Sequence, residues 1–224
     1  MTAVIHNVLF DLDGTLVDSS GTIADCIAHS LRELALDAHC QTPLKSLIGL
    51  PLLDIFRDHY GLNEDQAQTA IDIYRVQYDA MKQAGTRVYE DIDSVLSTLR
   101  GSGLRLFLAT VKPAPIAEKV LTDLGMRSYF AGVAGSSMDH RLRRKSEIIG
   151  HVLATWALQP EHSLMVGDRS QDIEGARANG LRSIGVGWGF GSLAELQAAT
   201  PDHIVTRAAD LPAIIAAPGV PPAR

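Results

Sequence analysis

The chain has 224 residues, 46% of them hydrophobic and 21% charged, which is globular composition with length for one domain carrying a large insertion or for two small ones. A formal net charge of −6 argues against a nucleic-acid-binding face, and the one basic run, Arg141, Arg143, Arg144 and Lys145, is too short to make one. No apolar run approaches the roughly 18 residues that span a bilayer, and no basic n-region precedes the first strand, so a cytoplasmic protein without a membrane partner is expected.

Residues 4–10 read as the first strand, and Asp11-Leu12-Asp13-Gly14-Thr15 leaves its end. From about residue 20, Ile23, Ile27, Leu31, Leu34 and Leu36 recur near helical spacing, with Asp18 or Ser19 as the cap. Pro43, Gly49-Leu50-Pro51 and Gly61 punctuate a region of short helices. Asn63 reads as the N-cap of a longer helix whose apolar side carries Ala67, Ala70, Ile71, Tyr74 and Tyr78. Nothing from 20 to 86 alternates like a strand, so this block is helical.

From 88 onward helices and strands alternate. A helix through Ile92, Val95, Leu96 and Leu99 ends at Gly101 and Gly103. Strand 104–109 follows, then helix 114–124 with Gly125 as its stop, strand 131–134 and helix 146–157. Strand 163–166 precedes helix 172–179, which Gly180 stops; strand 182–186, helix 193–199 and strand 203–205 complete the series. The alternation predicts an α/β fold, a doubly wound parallel sheet with helices on both faces. The first strand belongs to that sheet, so the expected division is a core of 1–15 and 87–224 with a helical insert at 16–86. The proline-rich tail from Pro218 is expected to fray.

Four polar clusters fall at or just past predicted strand ends: Asp11-x-Asp13-Gly14-Thr15, Thr110 with Lys112 close by, Lys145 opening a helix, and Gly167-Asp168-Arg169-Ser170-Gln171-Asp172. In a doubly wound sheet those edges converge on one crevice. Two carboxylates two residues apart repel, and each costs free energy to desolvate, so a cation or a reaction must use them. Acidic oxygen ligands suit a hard cation such as Mg²⁺. A hydroxyl, an ammonium group and loop N–H groups suit a phosphate. Together they point to phosphoryl transfer.

The sequence here resembles the haloacid dehalogenase superfamily. Phe10-Asp-Leu-Asp-Gly-Thr-Leu-Val-Asp18 looks like the first motif of that family, Thr110 fits the second, Lys145 the third, and Gly167-Asp168 with Asp172 the fourth. Gly132–Arg143 and Val166–Ala176 further resemble the phosphoglycolate-phosphatase-like branch, particularly members described as 5′-nucleotidases. The resemblance implies a phosphoric monoester hydrolase, with a helical cap after the first motif.

It also implies roles. Asp11 would be the nucleophile, forming an aspartyl-phosphate, and Asp13 the general acid and then base, with its backbone carbonyl on the metal. Gly14 would allow the sharp turn, and Gly14 and Thr15 would line the phosphate site. Thr110 would hydrogen-bond a phosphoryl oxygen, and Lys145 would offset charge on Asp11 and the phosphate. Asp168 would be a direct Mg²⁺ ligand, while Asp172 would orient ligands or water from behind, or merely cap the helix from 173. Lys112 reaches either a phosphate or the solvent. Arg57, Leu50-Pro51-Leu52 and Lys45 are the candidate substrate contacts from the insert. Position 111 is Val where relatives usually carry Ser or Asn, which removes one polar contact.

Other features suggest no further site. Cys26 and Cys40 stand outside any C-x-x-C pair and read as packing thiols in a reducing compartment. The eight histidines form no close pair, and Trp156 reads as core. Gly185-x-Gly187-Trp188-Gly189 lacks the acidic residue of a dinucleotide fingerprint and is expected at the rim of the crevice.

The expected partner is a small phosphorylated metabolite, a nucleoside 5′-monophosphate or 2-phosphoglycolate, acted on by a monomer or homodimer. A sugar-phosphate mutase of the same fold would need insert residues holding a sugar phosphate in two orientations. A phosphonate-cleaving relative would need a Schiff-base lysine there, Lys45 or Lys82. A signalling receiver domain also accepts phosphate on Asp, but it is shorter and lacks both DxDGT and the insert. A phosphate-binding protein on a disabled phosphatase fold conflicts with the complete acidic set.

Overall fold

The computed structural model describes residues 4–36, 42–81, 84–137 and 142–217, with the side chains of 44 and 45 left aside. The chain divides into two compact units, one made of 1–17 and 88–224 and the other of 18–87. Among the described residues no helix is long and apolar enough to cross a membrane. Cys40, Lys82, Arg141 and the tail from Pro218 lie outside the described residues, as does the side chain of Lys45.

The first unit begins with β1 (Asn7–Phe10). Val17–Asp18 (β2) and Arg87–Val88 (β3) form a two-stranded sheet where the chain passes between the units. The second unit lies between them. It holds α1 (Ser20–Glu33), α2 (Leu44–Leu47), α3 (Leu52–Asp54) running into a π-turn at Ile55–His59, and α4 (Glu64–Ala80).

Helix α1 buries Ile23, Ile27 and Leu31 but stops at Glu33, short of the expected Leu34 and Leu36. Ala35 takes φ 51°, and the Leu36 N–H donates to Leu31 O, closing a left-handed turn without a glycine. At its start the Asp18 carboxylate accepts from the Ser20 N–H at 3.0 Å, while Ser19 makes no side-chain cap bond. Helix α4 carries the expected Asn63 cap, reciprocated by Gln66, and buries the five predicted apolar residues.

After β3 come α5 (Ile92–Gly101), β4 (Arg105–Pro113), α6 (Ala114–Asp123), β5 (Phe130–Ser136), α7 (Lys145–Thr155) and β6 (Ser163–Gly167). Then α8 (Ser170–Ala178), β7 (Arg182–Val186), α9 (Leu193–Ala199), β8 (His203–Val205) and α10 (Leu211–Ala216) complete the unit. The six-stranded sheet has the order β5-β4-β1-β6-β7-β8 and every pairing is parallel. Leu9, Phe107, Ala109 and Met165 face one way, onto Ile148, Ile149 and Val152 of α7 and Ala176 of α8. Val8, Phe10, Leu106 and Leu108 alternate to the other face and are just as buried, so the sheet is covered on both sides. Trp156 packs on Phe107, its rings 5.4 Å apart, as a core residue should.

The topology sets the crevice. From β1 the chain moves outward through β4 and β5, then returns to the other side of β1 and moves outward through β6, β7 and β8. The reversal lies between β1 and β6, and ligands bind beyond strand ends at such a point. Phe10 is in register with Leu108 on one side and Val166 on the other, and the Asp11 N–H still donates to Val166 O at 3.0 Å. Asp11 therefore emerges level with Ala109 and Gly167.

Candidate active site

Asp11, Asp13, Thr15, Thr110, Lys112, Lys145, Asp168 and Asp172 are all buried. Burying this many ionisable groups is unfavourable unless they answer one another, and the contacts show how far they do.

Asp11, Asp168 and Asp172 form one cluster, each offering a carboxylate oxygen within 4.8 Å of the others. Lys145 opens α7 beneath them. Its Nζ lies 2.8 Å from Asp11 Oδ1 and 2.8 Å from Asp172 Oδ1, and it donates to Ala109 O at 3.0 Å. Glu147 turns it inward by accepting the N–H groups of Arg143 and Arg144 at 3.1 and 2.9 Å, which fixes the first turn of α7. Of the basic residues 143, 144 and 145, it is therefore Lys145 that enters the site.

Burial alone would lower the pKa of Lys145, but Asp11 and Asp172 outweigh it and hold the ammonium above its ordinary value. One ammonium does not satisfy three carboxylates. Asp11 Oδ1 and Asp172 Oδ1 are buried and share this ammonium as their charged partner. Burial, then the charges of Asp172 and Asp11, push Asp168 up to about 8. Burial likewise raises Asp172, to about 6, against the pull of Lys145. Three buried carboxylates around one ammonium, an all-oxygen donor set, fit a hard cation.

Asp168 is held by its surroundings. Thr15 donates its hydroxyl to Asp168 Oδ1 at 3.1 Å, and the N–H groups of Phe190 and Gly191 donate to Oδ2 at 2.8 and 3.4 Å. The Thr15 hydroxyl is thus committed to a carboxylate, a strong acceptor, which leaves its backbone untouched by this bond. Gly14 turns at φ 88°, and a Cβ there would stand 2.3 Å from Asp168 Oδ2, so this position needs glycine for both conformation and space.

Asp172 sits in the first turn of α8, where its Oδ2 accepts the Arg169 N–H at 3.1 Å while its Oδ1 faces Lys145. Asp172 thus closes the first turn of α8 and at the same time meets Lys145. The helix begins at Ser170, earlier than expected, because this side chain closes the turn from its third position.

Asp13 points elsewhere. Lys112 Nζ lies 2.7 and 2.9 Å from its two oxygens, so neither a phosphate nor the solvent takes that ammonium in this state. Thr110 and Lys112 belong to β4, which continues past the predicted end at Ala109 to pair Pro113 with Ser136 across an irregularity. Within it the Lys112 N–H donates to Thr110 Oγ1 at 3.2 Å. Val111 alternates away and packs against the hydrophobic cluster, so a polar residue there would meet core.

Arg57 belongs to the helical unit, where it is exposed and paired with Asp58 at 2.7 Å and Asp54 at 3.8 Å. Leu50, Pro51 and Leu52 of the same unit are half-buried. The segment after β7, expected at the rim of the crevice, reaches the acidic centre itself, which sequence reasoning did not anticipate. Trp188 donates its indole N–H to Thr15 O at 3.1 Å, and Phe190 and Gly191 reach Asp168. The glycine-rich composition was the available signal, because backbone must approach closely there.

The family model of haloacid dehalogenase-like hydrolases matches residues 8–186. A 5′-nucleotidase of Pseudomonas aeruginosa is 39% identical over 197 residues, covering 88% of this chain and 89% of that protein. The tyrosine-protein kinase PtkA of Mycobacterium tuberculosis is 36% identical over 213 residues, covering 95% of this chain and 72% of that protein. Among solved structures, a predicted phosphatase from Clostridium acetobutylicum superimposes with a TM-score of 0.89 at 35% identity, covering 95% of this chain and 99% of that one.

Proposed function

We propose, from the premise that this chain belongs to the haloacid dehalogenase-like hydrolases and is a phosphoric monoester hydrolase, that it hydrolyses small phosphomonoesters with Mg²⁺ through a phosphorylated Asp11. The observation that carries this reading is the buried trio Asp11, Asp168 and Asp172, three carboxylates gathered about the single ammonium of Lys145.

Asp11, Asp168 and Asp172 would hold the metal, with the Asp13 carbonyl as a further ligand. Bound there, Mg²⁺ supplies positive charge that lets an anionic carboxylate approach an anionic phosphate. A carboxylate nucleophile needs no base, and Asp11 Oδ attacks phosphorus as the ester P–O bond breaks. Lys145 offsets charge on Asp11 as the phosphoryl group arrives. Thr110 accepts at its oxygen from Lys112 and still has a proton to give a phosphoryl oxygen.

Asp13, two residues on, takes up a proton from solvent once Lys112 withdraws, gives it to the leaving oxygen and recovers one from the water that then releases phosphate. In the described state both Asp13 oxygens are engaged by Lys112, so substrate entry must exchange that ammonium for the leaving group. The helical unit acts in this reading as the cap that selects the leaving group. The leading substrates are nucleoside 5′-monophosphates, the class named for the Pseudomonas relative, and 2-phosphoglycolate. The kinase name of PtkA favours a second fate for the same phosphoryl group, transfer to an acceptor hydroxyl in place of water.

The test is p-nitrophenyl phosphate hydrolysis by the purified chain. Activity should require Mg²⁺ and fall about 10³-fold or more in Asp11→Asn. Turnover without metal, or full activity in that variant, would overturn the mechanism. A phosphate-release screen over nucleotides, phosphoglycolate and sugar phosphates then names the substrate. Isomer interconversion without phosphate release would mark a mutase, and phosphoryl transfer to tyrosine a kinase.

A further inference from the structure

The turn after β6 together with the first turn of α8 carries two of the three clustered carboxylates, Asp168 and Asp172. It is braced from outside by residues the chemistry above does not use. The brace runs from Trp188 through the first turn of α9. Its backbone approaches so closely that a Cβ on Gly189 would stand 2.3 Å from Gly14 O, and one on Gly191 would stand 1.9 Å from Asp168 O.

Its side-chain contact is Glu195. One oxygen of Glu195, Oε1, accepts the Ser170 N–H at 2.8 Å and Arg169 Nε at 3.0 Å. Arg169 in turn donates its own N–H to Asp172 Oδ2 at 3.1 Å. Next to Glu195, Leu196 is buried against Ile173 of α8, so the two helices are packed where the carboxylate reaches across. Burial would raise the pKa of Glu195, but the Ser170 N–H and Arg169 more than reverse this and keep it charged.

We propose, resting on the metal reading above, that Glu195 is a positioning residue for the cation site: by tying down Arg169 and Ser170 it sets the separation of Asp168 and Asp172. The physical reason is the narrow tolerance of Mg²⁺, which demands near-octahedral oxygen ligands at about 2.0–2.1 Å. Two ligands on a loose turn would have to be ordered at the moment of binding, and that ordering would be subtracted from affinity. Groups that orient ligands from behind commonly change metal affinity by about 10–100-fold when removed.

The test measures Mg²⁺ binding directly on the full chain by titration calorimetry, with Mn²⁺ as a paramagnetic check, for the wild type, Glu195→Ala and Glu195→Gln. In Glu195→Ala, Kd for Mg²⁺ should rise about tenfold or more. The Mg²⁺ concentration for half-maximal phosphatase activity should rise in step. Glu195→Gln keeps an acceptor for the Ser170 N–H and should fall between the two. A lower metal-free melting temperature with wild-type Kd in Glu195→Ala would make the residue merely structural and overturn the proposal. Should that variant not fold, wild-type Kd in Glu195→Gln overturns it equally. A wild-type chain that takes no Mg²⁺ removes the metal reading itself, which is a different failure.

Discussion

The two units of this chain treat polar side chains in opposite ways. Among the described residues of the α/β unit six charged ones are buried, Asp11, Asp13, Lys112, Lys145, Asp168 and Asp172, all gathered at one end of the sheet. Among the described residues of the helical unit, no charged side chain is buried, and its buried polar groups are hydroxyls. Those hydroxyls are answered locally: Ser30 donates to Cys26 O one turn back at 2.9 Å, and Thr22 pairs with Thr86 at 3.1 Å. Its charges lie outside, as in the exposed pair Arg57–Asp58. Hydroxyls cost little to bury once bonded, while charges cost several kcal/mol each, so buried charge marks where a fold has been shaped for something other than stability.

Three changes would sharpen or break that contrast. The largest effect belongs to Lys145→Met. It removes the ammonium facing Asp11 and Asp172 and leaves buried carboxylates uncompensated, so metal-free stability should fall by about 3–5 kcal/mol. Chemical denaturation in EDTA measures this, and phosphatase activity should drop about 10²-fold or more. A variant of unchanged stability would mean the cluster is already neutral.

Next is the dependence of metal stabilisation on pH. Asp168 and Asp172 are raised from the ordinary 3.8 to about 8 and about 6. Carboxylates raised in this way carry no penalty while protonated in both states, below about pH 4. From about pH 4 the unfolded carboxylates ionise while the buried ones keep their protons, so the metal-free fold loses stability as pH rises and levels off above about 6 for Asp172 and about 8 for Asp168. Mg²⁺ offsets the exposed charge, so the rise in melting temperature on adding Mg²⁺ should be larger at pH 8 than at pH 5. Equal shifts at both would contradict the reading. The smallest effect is expected in the helical unit, where Asn63→Ala removes the cap of α4. It should cost about 1 kcal/mol in denaturation and leave turnover of p-nitrophenyl phosphate per folded molecule unchanged.

How much of this was legible in the sequence varies with the range of the interaction. Helix ends marked by glycine fell where expected: Gly125 and Gly180 both take positive φ just after α6 and α8. Ala35 and Ala157 do the same after α1 and α7 without being glycine, so those two helices were read too long. Their left-handed turns are supported by surrounding structure rather than by residue type. Strand β4 was read too short because Thr110, Lys112 and Pro113 interrupt the apolar run around Val111, and pairing with β5 extends it. The terminal helix α10 was not expected at all. Asp11, Lys145, Asp168 and Asp172 were legible because each sits at a strand end or in the first turn of a helix, which periodicity locates.

By itself the sequence determined the α/β alternation, the inserted helical block and the acidic, hydroxyl and lysine set at the strand ends. These rest on local rules of period, capping and turn chemistry. Only the tertiary structure decided which charge answers which. Lys112 meets Asp13 across 99 residues of chain, Thr15 meets Asp168 across 153, and Trp188 meets Thr15 across 173. No spacing rule reaches that far. Such pairings exist because the parallel register brings distant strand ends to one level, and a buried charge there must take the partner the sheet delivers.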